Sequence, residues 1–116
     1  MKRSFRLTKN EEIKLVRQQG QSFAHKAIVI NTLPNQLNQN RAAVIAGRSV
    51  GGAVQRNLAK RRMRSALNSL SPELKQGIDL VLIARKPILF INYALLVSAV
   101  RGLLARASVL KDQDCE

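Results

Sequence analysis

Six basic residues and no acidic one lie between Arg48 and Arg64. The run Arg56-Asn57-Leu58-Ala59-Lys60-Arg61-Arg62-Met63-Arg64 has helical spacing. At 100° per residue, Arg56, Asn57, Lys60, Arg61 and Arg64 fall on one arc of about 140°, and Ala59, Met63, Ala66, Leu67 and Leu70 cluster on a neighbouring arc. A helix so built is anchored along one side and presents cations along another. Arg56, Lys60 and Arg64 follow at four-residue steps, where like charges repel by roughly a few tenths of a kcal/mol per pair. A polyanion removes that cost and releases its condensed counterions in exchange. A merely solubilising face would intersperse both signs, yet nothing from Ile13 to Pro72 is acidic.

The inventory for catalysis by the protein itself is poor. His25, the only histidine, falls in a predicted strand with no carboxylate near it in sequence, which favours a structural or weak RNA-contacting role over general base chemistry. Glu73 and Asp79 are single acids flanking an apolar run, read as a turn residue and a strand-edge residue rather than a metal pair. Gly51-Gly52 lacks the lysine and hydroxyl order of a phosphate-binding loop. The one cysteine, Cys115, supports neither an internal disulfide nor a zinc site. No catalytic residue and no protein-bound metal are therefore expected.

The chain has 116 residues, of which 46% are apolar, so one domain with a real core is expected. Its net charge of +13 then belongs to a folded basic domain rather than a disordered tail. Charge alone leaves DNA, RNA and anionic lipid open as partners. The uncharged stretch Pro87–Val100 is shorter than a membrane span, and Arg101 and Arg106 interrupt its continuation. The start, Met1-Lys2-Arg3-Ser4-Phe5-Arg6, has no following apolar region of the secretory kind. A soluble, unexported, cytoplasmic monomer without a membrane partner is the expectation.

Thr8-Lys9-Asn10-Glu11 has capping-box spacing and predicts a first helix ending at Gly20, weakly amphipathic through Ile13 and Val16. Ser22 to Leu33 reads as a strand, followed by a polar loop through Asn40. Arg41 to Gly47 gives a second apolar run, for which a hairpin with the first strand is the economical arrangement. The basic helix should run from about Ala53 to Ser69 and stop near Ser71-Pro72. Ile78 to Ala84 forms a further strand, and Asn92 caps a last helix through about Arg106. Leu58 and Val54 face away from the main apolar arc; Leu58 either packs on a loop or stands exposed. A helix between two strands makes a crossover unit, so the fold class is α+β, helices on a small mixed sheet. The general rule favours a right-handed crossover.

Gly51, Ala53-Val54, Arg56-Asn57, Lys60-Arg61 and Arg64 resemble the signature of the bacterial ribonuclease P protein component: glycine, a short Ala-Val stretch, then Arg-Asn-x-x-Lys-Arg-x-x-Arg. The similarity extends from Arg6-Leu7 to about Leu110 and includes Ile83-Ala84-Arg85-Lys86-Pro87 and the first helix with Lys9-Asn10-Glu11 and Gly20. It implies one RNA-binding domain over residues 1–110, with a flexible acidic tail at 111–116. It also implies a mainly antiparallel four-stranded sheet with a left-handed β-α-β crossover through the basic helix, and a further short strand around Ser22 to Ala24.

Functionally, the resemblance implies a subunit that assists a catalytic RNA in removing the 5′ leader of precursor tRNA. That RNA and its bound Mg2+ would perform the hydrolysis. A structured-RNA-binding protein or chaperone of related fold is the competing reading. Arg48, Arg56, Asn57, Lys60, Arg61 and Arg64 would contact the catalytic RNA. Ile13, Arg17, Lys26, Ile28 and Asn31 would line a leader cleft between the first helix and the sheet. Family members often carry aromatic residues where this chain has Ile13, Arg17, Ile28 and Asn31, so stacking on leader bases would be largely absent, with Phe23 as one remaining platform. Leu58 and Ser49 likewise stand where the family has basic residues. Leader binding is therefore expected to depend on charge, through Arg17 and Lys26.

Overall fold

The structure, a computed structural model, describes residues 6–111. Met1–Phe5 and the tail residues Asp112, Asp114, Cys115 and Glu116 lie outside the described residues. In chain order the elements are α1 (Asn10–Gln19), β1 (Gln21–Ala24), β2 (Ile28–Pro34), β3 (Arg41–Ile45), α2 (Ala53–Leu70), β4 (Ile78–Ala84) and α3 (Tyr93–Arg106). Short 3-10 turns at Ser71–Glu73 and Lys86–Leu89 follow α2 and precede α3.

Leu80-Val81-Leu82-Ile83 decides the sheet order. A strand apolar at nearly every position must be covered on both faces and paired on both edges. β4 accordingly takes an interior place in the order β1-β2-β4-β3, antiparallel to β2 and parallel to β3. The hairpin expected between β2 and β3 is therefore not formed, because β4 inserts between them. The polar loop that joins β2 to β3 grips the incoming strand: the Asn35 amide donates to the Gly77 carbonyl at 2.8 Å, and Asn40 Oδ1 accepts from the Ile78 amide at 2.9 Å. The β3-α2-β4 segment is the expected crossover, with its two strands parallel neighbours.

The single strand expected from Ser22 to Leu33 is split into β1 and β2 by a tight turn at His25–Ala27. His25 thus lies in a turn rather than a strand. Its Nδ1 accepts from the Ala27 amide at 3.1 Å, and its backbone exchanges hydrogen bonds with Ile28. The short strand implied by the resemblance is present as Gln21–Ala24.

Strand alternation divides the core in two. Ile28, Ile30, Leu80 and Leu82 face α2 and α3, together with Ala59, Met63, Ala66, Leu67 and Leu70 of α2 and Leu96, Val100, Leu103 and Leu104 of α3. Ala43 and Val81 face the other way, with Val16 of α1 and Leu7. Asn92 caps α3, its Oδ1 accepting from the Ala94 amide at 2.8 Å. The Thr8 capping box is not made. The Leu7 amide already bonds to the Ala42 carbonyl at 2.8 Å on the edge of β3, and α1 begins after Lys9 with no side-chain cap. α1 ends at Gly20, where a Cβ would lie 2.4 Å from the Thr32 carbonyl oxygen and 2.5 Å from that of Val16. Only glycine permits that approach of helix end to β2.

Asp79 is not a strand-edge residue. It lies in interior strand β4, almost fully buried, and Arg41 reaches it through Nε at 2.9 Å and Nη2 at 2.8 Å. Asn35 Nδ2 donates to the same carboxylate at 2.7 Å, and Arg41 Nη1 also donates to Glu12 of α1 at 3.0 Å. Hydrogen bonding to Asp79 raises the Arg41 pKa above the ordinary arginine value against the lowering effect of burial, and Glu12 adds to the rise. One guanidinium thereby joins α1, β3 and β4.

Candidate nucleic-acid interface

The path into α2 is set by a bend that glycine supplies. Gly51 has φ +146°, a conformation L side chains rarely adopt, and Gly52 stands at the helix start. Val50, fully buried, pins this bend to the core, while Arg48 is exposed two residues earlier. The apolar arc expected for α2 is the one that is buried: Ala59, Met63, Ala66, Leu67 and Leu70. Burial of that arc fixes the azimuth of every other α2 side chain.

Arg56, Lys60 and Arg64 border the buried arc and are half-buried, whereas Asn57 and Arg61 are exposed. Long basic side chains so placed lay their stems along the apolar layer and leave their charges outward. Among the described residues, no ion pair involves Arg48, Arg56, Lys60, Arg61 or Arg64. Three of the four described acids are engaged elsewhere: Glu12 and Asp79 hold Arg41, and Glu73 pairs with Arg101 at 3.1 Å. Among the described residues, the Nε atoms of Arg56 and Arg64 find no acceptor. The positive field of the ridge is thus unneutralised, as a phosphate-binding surface requires. Leu58 is exposed, with 39% of its surface accessible.

The second group of sequence-derived candidates lies on the opposite face of the sheet. Ile13 is half-buried and Arg17 exposed on α1, and Asn31 is buried beneath the helix with its Oδ1 unpartnered. Lys26 is exposed in the β1–β2 turn. Ile28 does not belong with them. It is wholly buried among the residues facing α2 and α3, because it is three positions from Asn31 and alternation puts it on the other face. Val29 shares the Asn31 face, opposite Ile83, and both are half-buried there beside Ile45. Val29 could have been found by counting parity from Asn31, whereas Ile83 and Ile45 depend on the pairing of separate strands. Phe23 also misses the cleft: it packs on the α2/α3 side, with the Arg106 guanidinium 5.7 Å from its ring centroid.

Among the described residues, no group of three His, Cys, Asp or Glu side chains could hold a metal ion, and no helix is long and apolar enough to cross a membrane. The family model for ribonuclease P matches residues 1–108. The chain belongs to the ribonuclease P protein family. It is 40% identical over 114 residues to the ribonuclease P protein component of Dehalococcoides mccartyi strain CBDB1, covering 98% of this chain and 93% of that one. It is 37% identical over 112 residues to the component from Ligilactobacillus salivarius strain UCC118, covering 95% and 98%. In fold it is similar to the ribonuclease P protein of Staphylococcus aureus, with TM-score 0.81, 24% identity and coverage of 92% and 98%. The ribonuclease P protein of Thermotoga maritima gives TM-score 0.78 at 25% identity, covering 87% and 98%. The four-stranded mixed sheet with three helices is therefore the architecture of ribonuclease P proteins. Within it, the ridge on α2 and helix α1 occupy opposite faces of one sheet.

Proposed function

We propose that this chain is the protein subunit of a ribonucleoprotein ribonuclease P, an endonuclease that removes the 5′ leader of precursor tRNA. The α2 ridge, with Arg48 before it, docks against the phosphates of the catalytic RNA. The face of the sheet under α1 receives the leader, with Arg17 and Lys26 supplying charge and Ile13, Val29, Ile83 and the buried Asn31 amide lining its floor. One copy of the protein serves one RNA. The observation that carries this reading is the run of cations on a helix whose opposite side is locked in the core and which, among the described residues, no acid pairs with.

The described carboxylates do not fit a magnesium site, since three of the four are committed to arginines. In this reading the RNA therefore holds the Mg2+ and performs the hydrolysis, and the protein holds the two RNAs in position. Neutralising about four to six phosphates gives a log-log salt dependence of binding with slope roughly −3 to −5.

Reconstitution tests the reading. The catalytic RNA and precursor tRNA of the same organism are assayed for cleavage at low magnesium, with and without this protein. Stimulated cleavage at the mature 5′ end is expected. Binding of many structured RNAs without stimulation would overturn it in favour of a general RNA chaperone. A leader-length series against salt tests the cleft: affinity should rise with leader length and fall with salt, and salt-insensitive, base-dependent leader binding would contradict it.

A further inference from the structure

Away from the ridge, several large apolar side chains stand exposed, two of them, Val54 and Leu58, on α2 and two more, Phe90 and Tyr93, at the entry to α3. On the helical wheel Val54, Leu58, Arg62 and Ser65 form a stripe of about 80° next to Arg61. The segment leading into α3 is docked along that stripe: the Arg62 guanidinium donates to the Ile91 carbonyl, and Ser65 Oγ and Tyr93 Oη are 2.7 Å apart. Phe90 stands at this junction with 77% of its surface exposed, and Tyr93 with 43%.

The exposure of Phe90 is not that of a loose loop. Ile88 is fully buried, Leu89 and Ile91 pack on the main core, and the amides of Phe90 and Ile91 both donate to the Pro87 carbonyl, at 3.0 and 3.1 Å. The backbone is pinned on both sides and holds one aromatic ring in water. Basic residues flank this segment: Arg62 of α2 bonds the neighbouring Ile91 carbonyl, and Arg85 and Lys86 precede it in the chain. Neither α2 nor residues 80–111 contain an acid. Such a field repels a second copy of this chain and attracts a polyanion. An exposed flat ring on a segment flanked by basic residues suits a nucleobase, because every base offers a π-face and its phosphate can meet the cations.

We propose that Phe90, with Tyr93 beside it, is a stacking platform for an unpaired base of the RNA that docks on the α2 ridge. The inference rests on the reading that this chain binds the catalytic RNA. Arg61 lies between ridge and stripe, so the two form one surface.

The test uses the full chain and the catalytic RNA of the same organism, with dissociation constants measured over a salt series for wild type, Phe90→Ala and Phe90→Trp. Phe90→Ala should weaken binding about 5- to 150-fold, the range for one base on one ring. Its salt slope should stay that of wild type, because no charge is removed. Phe90→Trp should bind as wild type does, and base-specific chemical probing should show one nucleotide protected by wild type and exposed with Phe90→Ala. Binding of Phe90→Ala within twofold of wild type would overturn the proposal while leaving the proposed function intact. So would a phenotype confined to sedimentation, marking self-association, or to adsorption on anionic phosphatidylserine vesicles. Failure of wild type itself to bind the RNA would instead remove the proposed function, and this inference with it.

Discussion

Replacing Arg41 by methionine should separate the architecture of the cleft from that of the ridge. The substitution removes both hydrogen bonds to Asp79, at 2.9 and 2.8 Å, and the one to Glu12 at 3.0 Å. Glu12, with 34% of its side chain exposed, rehydrates at little cost; Asp79, with 7%, cannot. Orphaning a buried charge costs about 3 to 5 kcal/mol. The bond from Asn35 at 2.7 Å survives, which puts the loss near the lower bound, about 3 kcal/mol. Against a total stability on the order of 5 to 15 kcal/mol the variant stays folded, with a thermal midpoint lowered by roughly 12 °C for a chain of this size. Urea unfolding of wild type, Arg41→Met, Asp79→Asn and the double variant gives the cycle. The double variant should recover about 2 kcal/mol relative to additivity, because the charge that needed a partner is gone. Since Arg41 also tethers α1 through Glu12, precursor affinity should fall in the reconstituted enzyme while affinity for the catalytic RNA alone holds. A loss below about 1 kcal/mol, or additivity in the cycle, would refute the argument that Asp79 depends on Arg41.

Alanine at Arg56, Lys60 and Arg64 together should make the salt slope of RNA binding shallower by about 2 to 3, at roughly 0.7 to 0.9 per phosphate contact. The unfolding midpoint should be nearly unchanged, and unfolding instead would show the stems to be core supports. Gly20→Ala drives a Cβ into the carbonyls of Thr32 and Val16, so it should cost about 1 to 3 kcal/mol in urea unfolding and weaken precursor binding more than catalytic-RNA binding. Asn92→Ala removes the acceptor for the Ala94 amide and should cost about 1 kcal/mol, measured the same way, with no change in cleavage at saturating protein.

The parts of the molecule legible in its sequence are those that a local pattern determines. The buried arc of α2 is the arc that periodicity assigns, because once one side of a helix is apolar its azimuth has no freedom left. The Asn92 cap is equally local. Strand neighbours are not local. Nothing within Ser22–Gly47 announces that a strand more than thirty residues later will part β2 from β3; the clue lay in β4, whose unbroken apolar run needs two partners. The Thr8 cap failed for a related reason, since the edge of β3 had a prior claim on the chain just before it.

The same logic explains which site residues were misplaced. The basic residues of α2 come together as the periodicity predicts because they sit on one helix, whose phase is set by burial. The candidates around α1 come together only in part, because that face is assembled from α1 and from alternate residues of separate strands. Choosing both Ile28 and Asn31 for one cleft violates the parity of a strand, and only Asn31 shares a face with Val81. Parity also keeps the α2 ridge and the α1 face apart. β4 presents Leu80 and Leu82 to the layer that carries the ridge, and Val81 and Ile83 to the layer under α1. Under the proposed function, the large RNA on one side and the leader on the other would have a four-stranded sheet between them. The design predicts that ridge and cleft substitutions combine additively in free energy, and coupling well above about 0.5 kcal/mol between Arg56→Ala and Arg17→Ala in precursor cleavage would show that both RNAs share one face.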